Sequence, residues 1–139
     1  MGGWRLEYLI DVDEENRIVY EKIFGIFRPE TAVSYKEDFE EKVAPIIDKP
    51  WVKLIDLNNW KPSYPEIIQT IGEHLHWCKD HNMVWSVNII NNKVTYGQLM
   101  KMFSEGATRE ISRTFRKMEE GEQFLEEQGF HVDPAFRGK

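Results

Sequence analysis

Apolar and polar positions interleave at the start of the chain. Trp4, Leu6, Tyr8, Ile10 and Val12 are set among Arg5, Glu7 and Asp11, a period of two that reads as a strand with one apolar face. Asp13-Glu-Glu-Asn16 is a turn cluster. Residues 17–27 read as a second strand, with Ile18, Tyr20, Phe24 and Ile26 on one side and Val19, Ile23 and Phe27 on the other. Together the two predict an antiparallel hairpin, and Gly25 inside the second marks a bulge or a close backbone approach. The period then changes. Ala32, Tyr35, Phe39, Val43 and Ile46 follow helical spacing over about 30–44, with Lys36, Glu37, Glu40 and Glu41 toward water. Pro29 suits the first turn of that helix and Pro45 its end.

Trp51-Val-Lys-Leu-Ile-Asp-Leu57 holds five apolar residues in seven positions, the density of a buried strand of a parallel sheet. Pro65 opens a second helix with the stripe Ile67, Ile68, Ile71, Leu75 and Cys78, and Asn82 stops it. Met83–Ile90 reads as a fourth strand ended by Asn91-Asn92-Lys93, residues 96–105 as a short helix, 111–115 as a short strand, and 119–128 as a last helix closed by Gly129. Residues 1–130 form one domain on this reading, and 131–139 a flexible tail. Strands joined by helices call for parallel neighbours. The expected fold class is therefore α/β: a five-stranded, mostly parallel sheet with an N-terminal antiparallel hairpin and right-handed βα crossovers. Such crossovers between sequential neighbours put the helices mainly on one face, and leave the opposite face bare.

Composition narrows the function classes. The chain is 30% charged with a net charge of −6, which argues against nucleic acid and against an anionic membrane surface as partners. Arg109, Arg113, Arg116 and Lys117 are a basic cluster that the acidic helix after them can neutralise. Cys78 is the only cysteine, so no internal disulfide forms. No apolar run nears the ~20 residues of a membrane span, and the first residues lack the apolar core of a signal peptide. The expectation is a cytoplasmic protein.

Several short motifs resemble the STAS or SpoIIAA-like family, the fold of bacterial anti-sigma-factor antagonists. Asp56-Leu57 closes a buried strand as the family's Asp-Leu does. Arg113-Thr-Phe-Arg-Lys-Met-Glu-Glu-Gly-Glu-Gln-Phe-Leu125 is similar to its final strand and acidic helix start, and Ile23-Phe-Gly-Ile26 to its second strand. The resemblance implies a non-enzymatic, regulatory module that binds another protein, without a cofactor. The family's phosphorylated Ser stands in an Asp-Ser pair at the second helix. Here that region reads Trp60-Lys-Pro-Ser-Tyr-Pro-Glu66, with no such pair. A more distant branch of the superfamily implies small-molecule or lipid binding instead.

In open α/β sheets ligands and partners dock beyond the carboxyl ends of the strands. Asp56, Asn58, Asn59, Trp60 and Ser63 gather an acid, two amides, an indole and a hydroxyl there, and Arg28, Asn91 and Asn92 emerge at the same edge. They are the candidate ligand- or partner-binding residues, against the plainer reading that Asn and Asp make good turns. The aromatic load, 13% of the chain, suggests that Trp4, Tyr8 and Trp77 serve an interface with a protein partner or a second copy. A small apolar ligand in a pocket lined by Trp60, Trp85 and Phe103 is the alternative. His74, Cys78 and His81 recur at helical spacing, but one straight helix seldom supplies three converging ligands. No metal is expected there, and Cys78 reads as core. No Gly-x-Ser-x-Gly elbow or glycine-rich phosphate loop is present, and no catalytic residue is assigned.

Overall fold

The computed structural model describes residues 7–136. Trp4 and the other five N-terminal residues, with the last three, lie outside them. The strands are β1 (Tyr8–Asp13), β2 (Ile18–Ile23), β3 (Trp51–Asp56), β4 (Met83–Ile89) and β5 (Ser112–Phe115), in the sheet order β1-β2-β3-β4-β5. β1 pairs antiparallel with β2, and every other pair is parallel. The helices are α1 (Pro29–Val43), α2 (Glu66–Asp80), α3 (Lys93–Glu105) and α4 (Met118–Glu127). The α/β class and the mixed five-stranded sheet agree with the sequence. α3 starts three residues earlier than its apolar pattern, because Asn92 Oδ1 accepts from Val94 N (2.9 Å) and Thr95 N (3.2 Å). The Asn cap, not the first apolar residue, sets the start.

Gly25 makes the close backbone approach that its position suggests. Its φ is +62°. Its N–H donates to Asn59 O and its carbonyl accepts from Lys61 N, both at 2.9 Å, in an isolated bridge to Trp60. The end of β2 is thereby tied to the loop after β3.

The apolar residues of β3 face two cores in alternation. Trp51, Ile55 and Leu57 point to α1, α2 and α3 with Phe39, Leu75 and Phe103. Val52 and Leu54 point the other way, with Ile18, Val87, Ile89 and Leu125. β3 is covered on both sides, as a central parallel strand must be.

The second face corrects one expectation. It is not bare: α4 lies on it. The crossover rule governs helices that join two parallel strands. α4 follows the last strand and is free to turn under the sheet, where a row of aliphatic side chains needs cover. Gly121 permits the approach, since a Cβ there would come within 2.7 Å of Ile89 Cδ1 and 2.9 Å of Val87 Cγ1. The segment after α4 continues across this face. Val132 is buried, and Phe136 stacks on Tyr20 with ring centroids 5.0 Å apart. Gly121→Leu is expected to destabilise the fold by about 1–3 kcal/mol through overpacking. It should also alter the fluorescence of Trp85, which packs edge-on against Phe124 of α4. Unchanged urea denaturation and emission would count against the packing described.

Candidate functional site

The carboxyl edge of the parallel strands collects the loops singled out from the sequence. Asp56 ends β3, and its Oδ1 accepts from Asn58 N (3.0 Å), forming an Asx turn. Trp60 is buried and donates through Nε1 to Ser63 Oγ (2.9 Å). Ser63 Oγ also accepts from Phe27 N (3.0 Å) and donates to Lys61 O (3.1 Å). Gln98 of α3 clamps the Ser63 backbone in both directions, at 2.9 Å each. Trp60, Ser63 and Asn92 are thus occupied in building the loops. Arg28, Asn58, Asn59 and Asn91 stand exposed at the surface. The edge unites the predicted residues, but the side chains of Asp56, Trp60, Ser63 and Asn92 already hydrogen-bond within the fold.

The same edge carries an apolar rim that the sequence pattern did not single out. Ile26, Val33, Tyr64, Val94 and Tyr96 are the large hydrophobic side chains left exposed among the described residues, at 44–61% of their surface. Ile26 follows β2, Val33 stands near the start of α1, Tyr64 follows β3, and Val94 and Tyr96 open α3. Ile26, Arg28, Lys61 and Tyr64 border one open depression of about 390 Å³. Asn91, Asn92, Tyr96 and Arg116 border another of about 230 Å³.

The other aromatic candidates are engaged within the chain. Tyr8 is half-buried, donates to Asp38 Oδ2 and meets Tyr35 edge-on at 5.3 Å. Trp77 stacks on His81 at 4.1 Å, and His81 Nδ1 lies 2.7 Å from Trp77 O. His81 therefore does not converge with His74 and Cys78. Among the described residues no group of three His, Cys, Asp or Glu is placed to hold a metal ion.

A polar cluster lies inside the first core, where the sequence reading placed none. Glu21 of β2 and Lys53 of β3 point to the face covered by α1, α2 and α3, each at most 3% exposed. Lys53 Nζ lies 3.2 Å from Glu21 Oε2, donates to Tyr35 Oη (3.2 Å) and donates to His74 Nε2 (2.9 Å). Tyr35 donates to Glu21 Oε1. The ammonium also sits 4.6 Å from the centroid of the Phe39 ring. An ammonium only donates, so His74 Nε2 accepts and the ring is the neutral tautomer with its proton on Nδ1. Burial, followed by the charges of Lys53 and Lys36, holds the His74 pKa well below the ordinary imidazole value. Burial pushes the Glu21 carboxyl up, opposed by Lys53 and by Tyr35. Cys78 Sγ lies 3.7 Å from His74 Nε2, and burial raises its thiol to about 12. It stays protonated and is no nucleophile.

The signal for this cluster was in the sequence. Lys53 and Glu21 interrupt otherwise apolar strands, and alternation puts Lys53 on the side of Trp51 and Ile55. A charge at such a position needs an internal partner. His74 shares a face with Cys78, one turn away. Beside the cluster is a cavity of about 50 Å³, with Lys53, Tyr35, His74 and Asn88 in its wall and Trp60 and Phe103 farther along. Trp85 is not part of it, since that side chain packs on the α4 face.

No family model matches the chain, and no curated protein matches its sequence.

Proposed function

We propose that this chain is a non-catalytic regulatory binding module of the cytoplasm, which engages a partner protein through the carboxyl edge of its sheet. One observation carries the reading: the exposed large hydrophobics collect at that edge, around Arg28, Asn58, Asn59 and Asn91. Apolar groups ringed by directional polar ones are the composition of a docking surface. Loops at this edge can vary without disturbing the sheet beneath them. The regulatory part of the reading rests on the STAS-like motifs around Asp56-Leu57 and Arg113–Leu125. No helix among the described residues is long and apolar enough to cross a membrane, which is compatible with the location proposed.

The test is photo-crosslinking in the native host from three edge positions, Ile26, Tyr64 and Tyr96, with Glu127 on α4 as the control. We expect one common partner from all three edge positions and none from the control. The double variant Ile26→Asp with Tyr64→Asp should lose the capture at Tyr96 by about tenfold or more, equivalent to about 1.4 kcal/mol. Crosslinks spread evenly over all four positions would refute the reading.

The alternative, a carrier of an apolar small molecule, has one observation in its favour, the cavity beside Lys53. At about 50 Å³ it is well below the ~300–1,000 Å³ of ordinary ligand pockets. A lipid or a drug-sized molecule does not fit, which leaves the protein-contact reading ahead.

A further inference from the structure

We propose that Lys53 is a reactive amine that captures small, uncharged aldehydes or ketones as an imine within the cavity beside it. The inference does not depend on the docking edge.

The geometry supplies each group that this chemistry needs. The amine is removed from water: Lys53 is 2% exposed, enclosed by Phe39, Tyr35 and His74. Its proton has a destination, because Glu21 Oε2 lies 3.2 Å from Nζ. The contact is an ion pair, and among the described residues that oxygen has no hydrogen-bond partner. Burial, which raises the Glu21 carboxyl, makes it the readier acceptor. Tyr35 donates to the other Glu21 oxygen and accepts from Lys53, so it bridges the acid and the amine. The cavity wall includes Lys53, Tyr35 and His74. A water needs roughly 10–15 Å³, so a cavity of about 50 Å³ suits a carbonyl compound of about two to four carbons.

The step balances. Lys53 passes a proton to Glu21, and the neutral amine adds to the carbonyl carbon. The C=O π electrons move to oxygen, which takes a proton from the new ammonium to give the carbinolamine. Glu21 returns its proton to that oxygen, and the C–O bond breaks with loss of water. A protonated imine remains, paired with the Glu21 carboxylate. Nothing is oxidised or reduced. The product keeps the charge of the original ion pair, so capture adds no net charge to the core. A substrate with its own carboxylate would add one beside Glu21 and is disfavoured.

A buried ion pair gives a fold little that packed apolar residues would not, whereas a carboxylate set against a desolvated amine is what imine formation uses.

The experiment treats the full chain with acetone and sodium cyanoborohydride at neutral pH, then maps the reduced adduct by proteolysis and mass spectrometry. We expect the isopropyl mark on Lys53 to accrue about tenfold or more faster than on any exposed lysine. Glu21→Gln should slow marking of Lys53 by roughly a hundredfold, with the exposed lysines marked as before. Should that variant not fold, Tyr35→Phe is used, with a slower mark again expected. Pyruvate should mark Lys53 more slowly than acetone does. Marks confined to exposed lysines would overturn the proposal. So would a Lys53 mark that forms equally fast in a folded Glu21→Gln protein, or equally fast with pyruvate.

Discussion

Lys53→Met is expected to cost the fold about 3–5 kcal/mol, because it strands the Glu21 carboxylate in the core without its partner. Lys53 Nζ is the cation that faces Glu21 Oε2, at 3.2 Å, and both side chains are almost fully enclosed. The loss is read from urea denaturation at neutral pH. Adding Glu21→Leu to Lys53→Met should recover most of it, since removing both charges removes the desolvation cost along with the attraction. The single variant should also show a distinct pH dependence. Burial already raises the Glu21 carboxyl, and losing Lys53 raises it further. A carboxyl whose folded pKa lies above its unfolded value stabilises the fold below the unfolded value, and that contribution disappears as pH rises through the folded value. The deficit of Lys53→Met is therefore smallest in acid and grows from the ordinary carboxylate range upward. A double variant no more stable than the single one would show that the cost comes from lost packing around the Lys53 stem.

The second large effect is acid sensitivity through His74. Its folded pKa is depressed by burial and by Lys53, so below the ordinary imidazole value of ~6.5 the unfolded chain binds a proton that the folded one refuses. Stability from this group is complete above that value and declines as pH falls, by up to about 1.4 kcal/mol per pH unit. His74→Gln retains an acceptor for Lys53 but cannot take up the proton. The difference in stability between parent and variant should change with this sign between pH 7 and pH 5, followed by chemical denaturation. Glu21 acts in the opposite sense on its own titration, but it is present in both proteins and largely cancels in the difference. A difference that stays flat across this window would mean that His74 is protonated in the folded chain.

Legibility in the sequence followed the strength of local rules. Pattern and punctuation located the elements: Pro29 opens α1, Asn82 with its φ of +78° ends α2, and Gly129 with its φ of +91° ends α4. The α1 stripe Ala32, Tyr35, Phe39 and Val43 is the buried face. What local rules did not locate depends on partners far along the chain. The side taken by α4 answers to the aliphatic row of β2, β3 and β4, which Gly121 lets it approach. The Lys53 cluster joins two strands and two helices: Lys53 and Glu21 stand out as charges that break apolar strands, but Tyr35 and His74, the partners that satisfy them, look like ordinary members of helix stripes. The candidate edge was legible in position, because parallel strands end together. Its division of labour was not. Trp60 and Ser63 look like binding groups until Phe27 N and Lys61 O are seen to consume the Ser63 hydroxyl.

Each strand lies beside its neighbour in sequence, so the sheet order has a consequence for synthesis. A chain emerging from the ribosome can add each βα unit to the one before it without waiting for distant segments. The underside of β2, β3 and β4 is the exception. Its aliphatic row stays uncovered until α4 and the segment after it have left the exit tunnel, and in that interval the nascent protein is most in need of a chaperone.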